Sequence, residues 1–497
     1  MSILIDISPI SSSALMLSEF LMSEFGYSKL DAENISNTQY QPFIKKFRED
    51  TYCLFESPYV DKVYRDSFYN YFASKLNHTL KNTIKISFFC YPITKEIFRS
   101  ENSSEIELLQ SNFMGFLVIR PTPPKVIGRN IISPAVLTEE ISVCTSKYST
   151  TVNSVKLKVE GFPHSSQDTE TLTCAETTIW SCMDYFSSKY SEYSPVLPSN
   201  IINTLSKTSF ERQLPSKGLN VRQISAALKE FGFGPKIYSR IEYGDQFSEL
   251  FSIYVESGIP IIAILFKSEG EGHALMAIGR KPLNYSNVLI PVLHGSISIF
   301  DTSKIKRDFV FIDDNYPPYQ IATFDSPCAH YPGSWHQYKI TNFITPLYSK
   351  IYLEAFRARQ VVYDLLSLDS DWKLPDGTSV YIRFFLASSR SYKNWFASKS
   401  TMPYNIKGLF LGSEMPKFIW VAELGIDQSF KGGHANGLII LDATSANTYG
   451  AKPLIFAIYN GLCITFNSET GEFSAVQIEP NIFDLYNENL KPRNDGK

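Results

Sequence analysis

"TETLTCAETTIWSCMDYF", residues 169–186, changes character at Cys174, with a polar run ahead of it and an amphipathic segment behind. Thr173-Cys174-Ala175-Glu176 fits the capping box, in which the Thr hydroxyl and the Glu carboxylate each satisfy a backbone N–H of the other. The pattern predicts a helix that starts at Cys174 and buries Ala175, Ile179, Cys182 and Phe186 along one face. Cys174 then lies one step off that stripe, at the positive end of the helix dipole, where a thiolate is favoured over a thiol. Cys182 falls mid-helix on the core side, where a cysteine is inert packing.

A nucleophilic thiol needs a base, an orienter for that base and donors for an oxyanion. The seven histidines are His78, His164, His273, His294, His330, His336 and His434. His273 stands out because it opens the strand-like "HALMAIG" (273–279), directly after the glycine turn "EGEG", where a polar ring can face a cleft. The next strand, "DFVFI" (308–312), ends in Asp313-Asp314. Adjacent carboxylates point to opposite sides of a strand, so one of them is expected to face His273. Asp313 is favoured as the first residue off the strand, with Asp314 open. Gln167, seven residues before Cys174, can lend its amide to an oxyanion hole beside the Cys174 backbone N–H. Singly, each residue has a plain structural explanation: a tolerated thiol, an edge imidazole, an Asp that opens a turn. The order Gln, Cys at a helix start, His at a strand start and Asp after the next strand is far more specific.

The surroundings fit an α+β chain. At 497 residues the protein is long enough for roughly three domains, each with its own core. A composition of 44% hydrophobic and 20% charged residues reads as globular, and a net charge of -3 excludes nucleic-acid binding by bulk charge. The N-terminus lacks a basic leader, and apolar runs such as "IPIIAILF" (259–266) are far short of a membrane span, so no membrane partner is expected. Seven scattered cysteines, an odd number, suit a reducing compartment, and the chain reads as soluble and cytoplasmic. Three regions follow: an N-terminal α+β region (1–155), a middle region (156–345) and a C-terminal α+β region (346–497). In the first, Ser57-Pro58 is expected to start a helix over 57–76, "TIKISFF" (83–89) to form a half-buried strand, and Arg120 and Arg129 to make structural pairs. In the last, a helix is expected over 349–368 ahead of four strands.

The middle region resembles the papain-like superfamily of cysteine peptidases, nearest the bacteriocin-processing (double-glycine) peptidase-like domains of bacterial proteins. The resemblance rests on "SQDTETLTCAETTIWSCMDYF", "LPSKGLNVRQISAALKEFGF", "ESGIPIIAILFKSEGEGHALMAIG" and "FVFIDDNYPPY", and covers roughly residues 156–325. It implies a Cys-bearing helix packed on an antiparallel sheet that carries His and Asp. It further implies Cys174 as nucleophile, His273 as general base and acid, Asp313 or Asp314 as orienter, and Gln167 as oxyanion donor. The expected activity is that of a bacterial thiol protease, a hydrolase cleaving an amide or peptide bond through an acyl-enzyme, with no cofactor and a protein or peptide as substrate. The alternatives are an acyltransferase or transpeptidase using the same triad, as in phytochelatin-synthase-like relatives, and a non-catalytic scaffold or sensor that binds a partner protein. Accessory regions of this size could also support an oligomer. "CAHYPGSWH" (328–336) offers Cys328, His330 and His336 to a metal, but the spacing is not a standard zinc pattern and no metal is expected.

Overall fold

A computed structural model describes residues 3–76, 79–168, 170–171, 173–208, 213–214, 218–266, 272–285, 289–367, 374–399, 401–446, 452–459, 461–467 and 470–493. The turn at 267–271, ahead of His273, lies outside these. The chain is mixed α+β, built on three large and almost wholly antiparallel sheets. Among the described residues no helix is long and apolar enough to cross a membrane.

The first sheet has seven strands in the order Leu4–Pro9, Tyr52–Tyr59, Thr83–Phe89, Phe113–Ile119, Ile127–Ile132, Val155–His164 and Ser146–Val152. It therefore runs nine residues past the expected boundary at 155, because Val155–His164 pairs back onto Ser146–Val152 and Ile127–Ile132. The strand Thr83–Phe89 is buried at every residue, not on one face only, and Lys85 on its second face meets Glu56 at 3.4 Å. The helix expected over 57–76 is shorter, Lys62–Asn70. Ser57 and Pro58 stay on the strand Tyr52–Tyr59, and Asp61 is the N-cap, its carboxylate accepting from Val63 N at 3.1 Å and Tyr64 N at 2.9 Å.

The central sheet runs Gln320–Thr323, Asp308–Ile312, Gly272–Arg280, Ile261–Phe266, Ile340–Tyr348, Phe233–Ser239. The third sheet has eight strands and draws Val292–His294 and Ile297–Asp301 from the middle region to join the strands of the C-terminal region. Near the end of the chain, Lys491–Pro492 pairs with Ser142–Val143, which pairs with Gly279–Arg280. The three regions are thus interleaved. The C-terminal helix is Ala355–Ser367, starting six residues later than expected, because Tyr352 and Leu353 N–H groups are committed to the Ala443 carbonyl.

The helix Cys174–Lys189 lies between the first and central sheets, in contact with Ser146–Val152, Val155–His164 and Gly272–Arg280. Every residue from Ala175 to Phe186 is buried, which differs from the single apolar stripe expected. The polar face is covered by the first sheet, where the Tyr148 hydroxyl donates to the Asp184 carbonyl at 3.1 Å.

Candidate active site

The capping box at Thr173 forms: Glu176 reaches back to accept from Thr173 N at 3.2 Å and from the Thr173 hydroxyl. Cys174 is thereby the first residue of the helix, and it is half-buried where the helix emerges between the sheets. All seven cysteines are free. Burial raises the thiol of Cys182, and pushes those of Cys53 and Cys328 up to about 12 and those of Cys144 and Cys463 up to about 11. A buried thiol of that kind is a poor nucleophile.

Pairing within the central sheet brings the acid to the base. Met276 lies opposite Ile312, the last residue of its strand, so the turn that begins at Asp313 starts beside the His273 end of Gly272–Arg280. His273 Nε2 stands 3.2 Å from Asp313 Oδ1, with both side chains buried. The Cys174 side chain also acts on His273 and favours its charged form. Nε2 is taken by Asp313, so Nδ1 is the nitrogen left to exchange a proton with the thiol. Burial disfavours charge on His273, but the Asp313 carboxylate and the hydrogen bonds outweigh it and hold the imidazole well above its ordinary range. Asp313 is held well below the carboxylate range, since His273, His330 and the Asn315 N–H together overcome its burial.

Asp313 has more donors than the His-Asp pair requires. Oδ1 accepts from His273, from the Tyr331 hydroxyl at 2.9 Å and from Asn315 N at 3.0 Å, and Oδ2 accepts from His330 Nε2 at 3.1 Å. Tyr331 Oη also lies 2.9 Å from His273 Nε2. Its one proton is spent on Asp313, so it accepts from the imidazole and bridges base and acid. Behind the site, His164 is buried and its pKa is pushed down to about 4 by burial, which keeps it neutral. Its Nε2 donates to the Asp313 carbonyl at 3.0 Å, and its Nδ1 accepts from Asn130 Nδ2 at 2.8 Å. The first sheet therefore braces the turn that presents Asp313.

The other expected residues are close by. Asp314 does not hydrogen-bond to His273, yet it offers a carboxylate oxygen within a cluster whose ligand atoms, from His273, Asp313 and Asp314, lie within 4.8 Å of one another. Strand alternation does not separate the two acids, because the strand ends at Ile312 and both sit in the turn beyond it. Asp314 Oδ2 is buried without a hydrogen-bond partner, and burial together with the charge of Asp313 raises its pKa to about 7. Gln167 Nε2 donates to Asn315 Oδ1 at 2.6 Å, which ties the Gln167 segment to the Asp313 turn and leaves the second N–H of the amide for another acceptor. Arg120 is buried and structural: Nη2 donates to the Ser166 carbonyl at 3.1 Å and the Gln167 carbonyl at 3.2 Å. Arg129 lies 3.7 Å from Asp61 and over the Phe116 ring.

Cys328, His330 and His336 do not converge. Cys328 is buried, His330 turns to Asp313, and His336 Nδ1 contacts the Gly333 carbonyl. The His273-Asp313-Asp314 group has the donor types of a divalent-cation site, but Asp313 and His273 already satisfy each other and Tyr331. Asn130, His164 and Tyr331 are site residues that the sequence did not single out, and His330, weighed there only as a metal ligand, serves Asp313 instead. The one signal was the density of His, Tyr and Trp in "AHYPGSWHQY" (329–338), whose Trp335 ring packs at 5.6 Å from that of His273.

No protein-family model matches this chain, and no curated protein matches it. The functional reading therefore rests on the geometry of the site.

Proposed function

We propose that the protein is a thiol hydrolase of papain-like type that cleaves an amide or peptide bond through an acyl-enzyme on Cys174. The observation that carries this reading is a buried His273 paired with a buried Asp313, with the side chain of Cys174, at its helix start, near enough to favour the charged imidazole. In this reading the thiol proton resides on His273, paired with Asp313, and the Cys174 sulfur attacks the substrate carbonyl carbon. The tetrahedral oxyanion takes hydrogen bonds from the Cys174 backbone N–H, which has no partner within its own helix, and from the uncommitted N–H of Gln167. His273 passes its proton to the leaving amine, the C–N bond breaks, and a thioester remains. Water, deprotonated by the now neutral His273, attacks the thioester, the C–S bond breaks to release the carboxylic acid, and the Cys174 thiolate and protonated His273 are restored. An amine in place of that water makes the same site an acyltransferase.

The test is an acylation burst with p-nitrophenyl acetate, followed by intact-mass and peptide mapping. The reading expects close to one nitrophenolate released rapidly per chain and an acetyl group on Cys174, with the burst lost in Cys174→Ala and slowed in His273→Ala. Acetylation spread over lysines, with no burst, sinks it.

A further inference from the structure

A cavity beside the Asp313 turn is lined by a lysine, Lys125, that makes no ion pair among the described residues. Its volume is about 170 Å³, below the roughly 300–1,000 Å³ of whole-ligand pockets, so it suits one group of a ligand and not a whole one. Its walls include Ser166 and Asn315, which flank Gln167 and Asp313, and Phe43 and Tyr316, which are apolar faces. Lys125 lines it too and is half-buried. No carboxylate among the described residues comes within ion-pair distance of Lys125. The acid that does feel its charge is Asp314, whose own burial favours the neutral form.

The mounting of Lys125 is rigid. Its N–H bonds the Thr122 carbonyl at 3.1 Å, and its carbonyl accepts from the Thr122 hydroxyl at 2.9 Å. The residues on either side are clamped by one amide of the N-terminal region: Gln39 Nε2 donates to the Pro124 carbonyl at 2.6 Å, and Gln39 Oε1 accepts from Val126 N at 3.1 Å. Arg120 Nη2, which holds the Ser166 and Gln167 carbonyls, also reaches the Lys125 carbonyl at 3.5 Å. The lysine-bearing turn and the Gln167 segment are thus fixed to one guanidinium. Lys125 therefore lines the cavity from a backbone that is held in place on both sides.

We propose that this cavity is a carboxylate subsite, in which Lys125 receives an acidic side chain or the free C-terminal carboxylate of a peptide that presents its carbonyl to Cys174. The proposal rests on the thiol-hydrolase reading. It gives the N-terminal region a part in substrate choice, since Gln39 and Phe43 also line the cavity. The apolar rings take the stem of the acidic residue while Lys125 takes its charge. A neutral residue in the same place leaves the ammonium unpaired.

The experiment uses the full-length chain and affinity labels that need no cleavage. Bromoacetyl-Gly-Glu-amide, bromoacetyl-Gly-Gln-amide and bromoacetyl-Gly-Gln with a free carboxylate are compared by their rates of alkylating Cys174, read by mass spectrometry. One of the two acidic labels is expected to react about fivefold faster than the neutral one, as an ion pair of about 1 kcal/mol gives. Which of them does so says whether the carboxylate is side-chain or terminal. Lys125→Arg keeps the preference and Lys125→Gln abolishes it. Equal rates in the native protein, or a preference that survives in Lys125→Gln, overturn the proposal. Failure of Cys174 to react even with iodoacetamide defeats instead the hydrolase reading beneath it.

Discussion

The strand Gly272–Arg280 carries a buried ionic cluster at each end, and the two differ in what they leave unspent. At its far end, Arg280 joins Glu256, Arg307, Arg383 and Glu423. Glu256 Oε1 accepts from Arg280 and from Arg307 at 2.8 Å, and Oε2 from Arg280 at 3.1 Å and Arg383 at 3.3 Å. Glu423 accepts from Arg383 at 2.9 Å and from Tyr486 N at 2.7 Å. Every carboxylate oxygen is used, and the donors come from the central sheet, the third sheet and the C-terminal tail, so the cluster staples them together. At the near end, His273 and Asp313 also pair, but a half-buried thiol acts on the imidazole, Asp314 Oδ2 has no partner, and a cavity opens alongside. Buried charge alone is thus a poor mark of function. The mark is buried charge with a nucleophile and room beside it.

The comparison is broken most forcefully at the staple. Glu256→Gln leaves three guanidinium groups without their shared counter-charge and is expected to cost about 3–5 kcal/mol in denaturant unfolding. The rate of Cys174 alkylation in the folded fraction should stay near that of the native protein. A loss under about 1 kcal/mol would mean that the staple holds nothing. At the other end, Asp313→Asn is expected to lower the rate of Cys174 acylation by on the order of 100-fold, the scale of one acid–base group. It also removes the anion that holds His273 protonated, so the alkaline limb of the pH–rate profile moves to lower pH. An unmoved limb would show that Asp313 does not face the working imidazole.

The smallest effect is a matter of sign. Asp314 has a folded pKa of about 7 against roughly 3.9 in an unfolded chain, so the folded state holds the extra proton between those values. Its contribution to stability therefore falls as pH rises through that window. Asp313 acts oppositely: its contribution is in place above about pH 4 and lost below. His273, raised when folded, contributes fully below about pH 6.5 and loses that contribution only at higher pH. Between pH 4.5 and 6.5 His164, held at about 4 when folded, contributes a slope of the opposite sign, so Asp314 is read by difference: Asp314→Asn should make the slope in denaturant titrations more positive than that of the native protein. An unchanged slope would place the unpartnered acid elsewhere.

What the sequence revealed of this site was whatever is local or periodic. The capping box at Thr173 involves four consecutive residues, and the alternation after His273 needs only its own strand, so both were legible. The acid pair was legible as a pair, although its geometry was not, because alternation stops where the strand does. Residues joined across long separations were invisible: Asn130 to His164, His164 to Asp313, Tyr331 to His273. The same limit explains the boundary at 155 and the stripe on the Cys174 helix. Both depended on the first sheet, whose last hairpin closes over that helix. The start of Lys62–Asn70 failed for a different reason: Asp61, with its carboxylate on two N–H groups, caps the helix, while Ser57 and Pro58 stay on the strand before it.

The central claim is that Cys174 differs in kind from the other thiols, and that His273 makes the difference. Brief alkylation with iodoacetamide at about pH 6, mapped by mass spectrometry across all seven cysteines, measures this directly. The account predicts fast modification of Cys174 alone, slowed at least tenfold by His273→Ala, with Cys182 on the same helix unmodified. Cys174 reacting no faster than the half-buried Cys90, or indifferent to His273, would contradict it.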